Sequence, residues 1–311
     1  MQGQPNHEPL GQVIRSTTVI EPQRLSSALG VNLTIASEVF QVTGSFKFRA
    51  AYNLASKVPA RRFIAASSGN FGQALAHACQ LLQKTCIIVM PDTSAKAKIA
   101  GVQQYGGQID LIDVKTKSRC ERVAELARDC PDAYVASAYD DPLVIEGNAS
   151  LGVEIAALNR QFDCVTVPIG GGGLASGIIT GLRTSSSNVP VIGAEPLMGN
   201  DAARSLKAGH IVANETEPLT IADGARTLSV GAHNWRVLRN GIARIIEVPE
   251  EKIVEGVRLF FELANLKVEP TGALGLGGIL TELEAFQGLS VCCVVSGGNV
   301  DLAAYRSILA G

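Results

Sequence analysis

Seven short apolar runs recur along the chain with helix-period segments between them, and this alternation restricts the fold more than any other feature. They are RFIAA (62–66), TCIIVM (85–90), QIDLID (108–113), DCVTVPI (163–169), PVIGAE (190–195), ARIIEV (243–248) and SVCCVVS (290–296). A strand with one wet face alternates polar and apolar residues. Most of these runs are nearly continuous in Val, Ile and Cys, so both of their faces need cover. Helices supply it: at 70–82, Phe71, Ala74, Leu75, Ala78 and Leu82 fall on one side. Parallel strands need a crossover, and the intervening segments are long enough to make one. The expected class is therefore α/β, a mostly parallel sheet flanked by helices.

Composition narrows the function classes. Of 311 residues 46% are hydrophobic, enough for a sizeable core, and the formal charge is only −2. Such a balance gives no general attraction for nucleic acid or an anionic membrane. Cys164 to Leu182 carries no charge, but Pro168 and four successive glycines interrupt it, which reads as strand and loop rather than a membrane span. The seven cysteines form no CxxC pair and lie mostly in apolar runs such as CIIVM and VCCVV. Together with a first segment, MQGQPNHEPLGQ, that lacks a basic-then-apolar pattern, they lead us to expect a cytoplasmic protein.

Four loops carry the chemistry. In Thr43-Gly-Ser-Phe-Lys-Phe-Arg49 a lysine stands just inside a helix start, with Thr43 or Ser45 as the expected cap and Phe46 and Phe48 beside it. A helix N-terminus and apolar neighbours both disfavour an ammonium ion, as a nucleophilic Lys47 would require; the alternative is a solvated surface lysine. Ser67-Ser-Gly-Asn-Phe-Gly-Gln73 follows a strand and opens a helix, a suitable carboxylate or phosphate site, though a plain turn uses the same residues. Gly170-Gly-Gly-Gly-Leu174 sits between DCVTVPI and a helix, and four glycines in a row suit close approach of backbone to a phosphate. Ser296-Gly-Gly-Asn-Val-Asp301 ends the last apolar run, where open α/β sheets place ligands. Its Ser hydroxyl suits an uncharged ring nitrogen; a helix start capped by Asn299 is the other reading. The third loop also fits GxGxxA as Gly170, Gly172 and Ala175, with Glu195 closing the next strand, so an NAD(P) oxidoreductase is the rival class.

Taken in order, TGSFKFRAAYN, ASSGNFGQALA, VIEGNASLGVEI, VPIGGGGLASG, GAEP, TIADGART, VEPTGALGLGG and VVSGGNVDL resemble the fold-type II pyridoxal-phosphate (PLP) enzymes, in their serine/threonine dehydratase and serine racemase branch, from about Ser16 to Leu302. The resemblance implies two open, twisted, mostly parallel sheets: a large PLP-binding domain (1–58 and 141–311) and a small domain (59–140) closing over the substrate. It implies that Lys47 holds PLP as a Schiff base and moves the Cα proton, with Phe46 against the ring and Asn70 at the phenolic oxygen. Gly170, Gly171, Gly172, Gly173 and Leu174 would hold the phosphate, with Gly224 near the ring and Ser296 at its nitrogen. Ser67, Asn70 and Gln73 would bind the substrate carboxylate, and Ser68 would stand on the opposite ring face as the acid/base of a racemase. Glu195, the carbonyl of Gly199 and Asp201 match the positions of a structural Mg²⁺ or Ca²⁺.

The implied activity is dehydration and deamination of L-serine, L-threonine or a bulkier 3-hydroxy amino acid, giving a 2-oxo acid and ammonia. An amino-acid racemase is the main alternative and β-replacement a weaker one. Phe71 stands where the family commonly has a His, which favours a bulkier substrate than serine. A homodimer is implied, with a small amino acid as substrate and neither nucleic acid nor membrane as a partner.

Overall fold

A computed structural model describes residues 8–67, 69–94 and 96–311. Among the described residues ten strands form two sheets: β1 (Thr18–Ile20), β2 (Asn32–Ser37), β3 (Arg62–Ala66), β4 (Thr85–Pro91), β5 (Gln108–Ile112), β6 (Tyr134–Val135), β7 (Cys164–Pro168), β8 (Val191–Pro196), β9 (Ile242–Val248) and β10 (Ser290–Val295). The six-stranded sheet runs β1-β2-β10-β7-β8-β9 and the four-stranded one β5-β4-β3-β6. Only β1 pairs antiparallel; every other pairing is parallel. The class is α/β, as the alternation predicts.

All seven expected strands form, within a residue or so of their expected ends. Three further strands escape the pattern. β2 is buried at Leu33 through Ser37, yet Asn32, Thr34 and Ser37 break its apolar run. β6 has two residues and exists only by pairing with Phe63 and Ile64. The sequence from Pro196 to Val230 predicts irregular backbone, but it contains a helix, Asp201–Ala208. The Glu195 carboxylate, at the end of β8, receives the Ala202 and Ala203 N–H groups, each at 2.9 Å. That helix is started by a capping group outside itself, which local periodicity cannot reveal.

Helices cover both faces of the six-stranded sheet. One core includes Ile35, Val268, Leu276 and Val291, the other Val167, Ile178, Leu182 and Val294. A third core joins the helix Lys47–Lys57 to the four-stranded sheet, through Phe48, Ala51 and Leu54 against Phe63, Phe71 and Leu75. The helix that carries Lys47 thus shares a core with the unit containing the serine loop. Among the described residues no helix is long and apolar enough to cross a membrane.

Candidate active site

Parallel strands bring their carboxyl ends to one side of a sheet, and ligands bind there. Here β3 leads into Ser67, β7 into Gly170 and β10 into Ser296. The loops border one cleft of about 2140 Å³ between the sheets. All the described residues expected to contact cofactor or substrate line it; Ser68 lies outside the described residues.

Lys47 opens its helix, but its cap differs from expectation. Phe46 occupies the cap position without a side-chain cap, and Thr43, at φ 65°, belongs to a preceding turn, Val42–Gly44. The backbone sets the lysine's place instead: Phe46 N–H donates to Ser296 O at 3.0 Å, Gly298 N–H donates to Gly44 O at 3.0 Å, and Ser45 bridges Gly297. These contacts hold the first and fourth loops together. Lys47 Nζ donates to the Ala138 carbonyl at 2.7 Å and lies 4.9 Å from the Phe46 ring centroid and 5.9 Å from that of Phe71. Burial pushes its pKa down to about 8, partly opposed by the Glu269 carboxylate. It is a buried amine whose pKa is lowered toward neutrality, not a solvated lysine.

The serine loop folds on its own hydroxyl. Ser67 Oγ accepts the Gly72 N–H at 3.0 Å and the Gly69 N–H at 3.4 Å, and Gln73 packs on Gly101. Asn70 begins the helix Asn70–Leu81 and turns its amide toward Glu269, donating to both carboxylate oxygens at 2.8 and 3.1 Å. Glu269 is buried. Its burial, with the Asp223 carboxylate second, raises its pKa to about 8 against the pull of Asn70 and Lys98.

The glycine loop needs its glycines. Gly172 has φ 89°, a left-handed conformation that side-chain-bearing residues avoid. A Cβ on Gly171 would overlap the Tyr139 ring, and one on Gly173 would lie 2.9 Å from the Tyr139 carbonyl. Asn234 Nδ2 donates to the carbonyls of Gly171 (2.7 Å) and Tyr139 (3.0 Å), while Asp140 accepts the N–H of His233 at 2.8 Å. The carbonyl of Gly171 is thereby tied back. The helix Gly173–Thr184 starts without a side-chain cap, leaving its first N–H groups and dipole for an anion. On the cleft's other flank, Gly224 N–H donates to Thr271 Oγ1 at 2.9 Å.

Ser296 closes the set. It is 1% exposed, and its hydroxyl finds no hydrogen-bond partner among the described residues. A buried hydroxyl without a partner is destabilising unless a ligand satisfies it. Asn299, the alternative cap, does not cap the last helix; Asp301 does, accepting the Ala303 N–H at 2.9 Å. Asn299 reaches instead to Asn70 Oδ1 at 2.9 Å.

Glu195, Gly199 and Asp201 lie together outside the cleft lining. Asp201 accepts from Val230 N–H (2.7 Å) and Asn214 Nδ2 (3.0 Å). Burial foremost, then its neighbour Asp201, raises the Glu195 pKa, and burial raises that of Asp201 to about 6. Both Glu195 oxygens are engaged at the helix start, and the residue is 1% exposed, so it cannot serve as the ribose ligand of a dinucleotide site. The GxGxxA match therefore lacks its acidic partner. Among the described residues there is no group of three or more His, Cys, Asp or Glu side chains placed to hold a metal, which leaves the Gly199 carbonyl and solvent to complete any such shell.

Sequence reasoning missed Glu269, Tyr139, Asn234 and Thr271. A glutamate before Pro270 reads as an ordinary helix cap, and an Asn inside AHNWRVL reads as surface. Only their contacts across long stretches of chain disclose them.

A buried amine, a phosphate-sized glycine cradle on a helix start and an unpartnered hydroxyl are the three contacts that PLP asks of a protein, and the residues present fit it. Known proteins of similar sequence and structure point the same way. An L-threo-3-hydroxyaspartate ammonia-lyase from Pseudomonas sp is 36% identical over 299 residues, covering 95% of this chain and 93% of its own length. Serine racemase from Homo sapiens is 34% identical, covering 93% of this chain and 87% of its own. The crystal structure of a threonine deaminase from T.th. superposes with a TM-score of 0.89 at 36% identity, covering 94% of this chain and 96% of that one. The family described as pyridoxal-phosphate dependent enzyme matches residues 10–297, and the chain belongs to it.

Proposed function

We propose that this enzyme is an ammonia-lyase that eliminates water from a 3-hydroxy amino acid, after which hydrolysis of the resulting enamine consumes a water and releases ammonia and a 2-oxo acid. The observation that carries the reading is the meeting of Lys47, the Gly170–Gly173 cradle and the orphaned Ser296 hydroxyl in one cleft. PLP bound there supplies an electron sink conjugated to the substrate Cα. Lys47 would hold the cofactor and, as a free amine, would take the Cα proton; burial among Phe46 and Phe71 lowers its pKa toward neutrality. Ser296, a neutral partner, would face the ring nitrogen without charging it, which suits elimination of a β-hydroxyl. The first-turn N–H groups of the helix Gly173–Thr184, beside Leu174, would hold the phosphate, and Asn70 would face the phenolic oxygen. Ser67, Asn70 and Gln73 orient the substrate carboxylate, and closure of residues 59–140 excludes water.

The relative from Pseudomonas sp supports 3-hydroxyaspartate as the first substrate to test. Among the described residues Arg226 and Lys267 line the cleft without an ion-pair partner and are the groups a second carboxylate would meet, whereas Lys98 and Arg119 there already pair with Asp223 and Glu217. Incubation with 3-hydroxyaspartate, threonine and serine, following oxo-acid and ammonia release, tests this; a rate for serine equal to or above that for 3-hydroxyaspartate would sink the substrate assignment. The relationship to serine racemase favours racemisation as a second reading, with Ser68 as its acid/base, and chiral analysis of recovered substrate distinguishes it.

Two further assignments rest on family likeness. Family likeness assigns Glu195, Asp201 and the Gly199 carbonyl to Mg²⁺ or Ca²⁺, which would require Glu195 to accept the ion with oxygens that already receive the Ala202 and Ala203 N–H groups; if so, either ion should raise the melting temperature, and Asp201→Asn should abolish the rise. A cytoplasmic homodimer is the expected form, for which sedimentation and cell fractionation are the checks.

A further inference from the structure

We propose that Glu269 is a positioning residue of this active site, fixing through its carboxylate which end of the Asn70 amide faces the cofactor. The inference rests on the PLP reading above and adds to it a group that none of the four loops contains.

Glu269 stands at the cap position of the helix Pro270–Thr281, where an acid ordinarily accepts the N–H groups of its own helix. It makes no such bond. It directs both oxygens to Asn70 Nδ2, at 2.8 and 3.1 Å, from the far side of the cleft. An ionised carboxylate only accepts, so the amide must present nitrogen to it. At the other end, Asn299 Nδ2 donates to Asn70 Oδ1 at 2.9 Å and to the Thr43 carbonyl at 2.7 Å. A backbone carbonyl also only accepts, so Asn299 cannot reverse without losing that bond.

The Thr43 end of the relay Thr43–Asn299–Asn70–Glu269 is thus fixed by a carbonyl that cannot donate, and with Glu269 accepting at the other end one orientation of both amides satisfies all the bonds. The two N–H bonds of a trigonal amide diverge widely, whereas two oxygens of one carboxylate lie close together. One N–H of Asn70 therefore serves both oxygens, and the second remains a donor for the cleft. A flipped Asn70 would instead oppose its oxygen to a carboxylate and offer the cleft no donor from that end.

The charges that face Glu269 come from three separate elements: Lys47, Asp223 and Lys98, the last two paired with each other. Protonation of Glu269 would keep a carbonyl acceptor for Asn70, so the orientation survives loss of the charge. This separates positioning from simple charge balance with Lys47.

The test compares the PLP-loaded wild type with Glu269→Leu, Glu269→Gln and Asn299→Ala, reading the acid–base midpoint of the visible cofactor band and the cofactor Kd. Glu269→Leu should move the midpoint by about one pH unit and weaken cofactor binding about ten-fold or more, as loss of a well-aligned donor implies. Glu269→Gln, whose carbonyl still accepts, should return both close to wild type. A Leu variant with wild-type midpoint and Kd overturns the proposal, as does a Gln variant as deficient as Leu, which would trace the effect to charge. If Glu269→Leu does not fold, Asn299→Ala decides, because it frees the opposite end: a shift in the same direction supports the relay and none refutes it. A wild type without a visible band would instead refute the PLP reading beneath it.

Discussion

Two buried acid sites in this protein invite comparison. Glu195 and Asp201 sit at and just beyond the end of β8, outside the cleft lining, and Glu269 lines the cleft near Lys47. Burial is the largest cause of the raised pKa in all three. At the first site the carboxylates satisfy themselves on backbone N–H groups of Ala202, Ala203 and Val230, and their partners start a helix and fasten a loop. At the second, the carboxylate passes over its own helix and bonds a side chain across the cleft, beside a buried amine and an orphaned hydroxyl. Burial by itself therefore does not mark an active site. What marks it is a set of polar groups whose hydrogen bonds remain incomplete toward a cavity.

The largest effect should come from Lys47→Ala, which removes both cofactor attachment and the base. We expect a rate loss of about 10²–10⁴-fold or more by steady-state kinetics. A variant within ten-fold of wild type would erase the distinction between the two sites. The pH dependence sharpens it further. Capture of PLP by the cofactor-free protein needs the free amine, so its rate should climb as pH rises through about 8, the value to which burial lowers Lys47.

Next in size is Gly171→Ala. A Cβ there would overlap the Tyr139 ring, so the cradle must open, for a destabilisation of about 1–3 kcal/mol by thermal melting together with weaker PLP binding. An unchanged cofactor Kd would remove the glycine loop from the site. Ser296→Ala should behave in the opposite sense for the protein alone. It deletes an unpartnered buried hydroxyl, so cofactor-free stability should hold or rise slightly while PLP binding weakens. Loss of stability without PLP would show that the hydroxyl has a partner inside the fold.

The smallest effect on activity should come from Asp201→Asn. Asp201 has its pKa raised from 3.8 to about 6, so between those values the folded protein binds more protons than the unfolded chain. Stability contributed by this group then falls as pH rises through that window. Melting curves from pH 4 to 7 without added metal should show the wild type declining relative to Asp201→Asn. A parallel pair of curves would mean that the carboxylate is already neutralised by a neighbour.

Much of the fold and of the site is legible in the sequence because its signals are local. Continuous Val/Ile/Cys runs mark strands buried on both faces, and Gly170 to Gly173 can hardly serve anything but a close backbone approach. The aromatic flanks of Lys47 foretell its apolar setting, although its cap is not where local residue types place it, because Phe46 is held by Ser296 across the chain. The helix after Glu195 and the Asn70–Glu269 contact stay hidden for one reason: each joins groups by packing rather than by spacing. The contact between Asn70 and Glu269 spans 199 residues, far beyond any periodicity.

The most direct test of the central claim is borohydride reduction of the protein incubated with PLP, followed by peptide mass analysis and paired with the visible spectrum. The account predicts a visible band that reduction abolishes, with the cofactor mass fixed on the peptide containing Lys47. A protein with no band, or one carrying the reduced cofactor on another lysine, would contradict it.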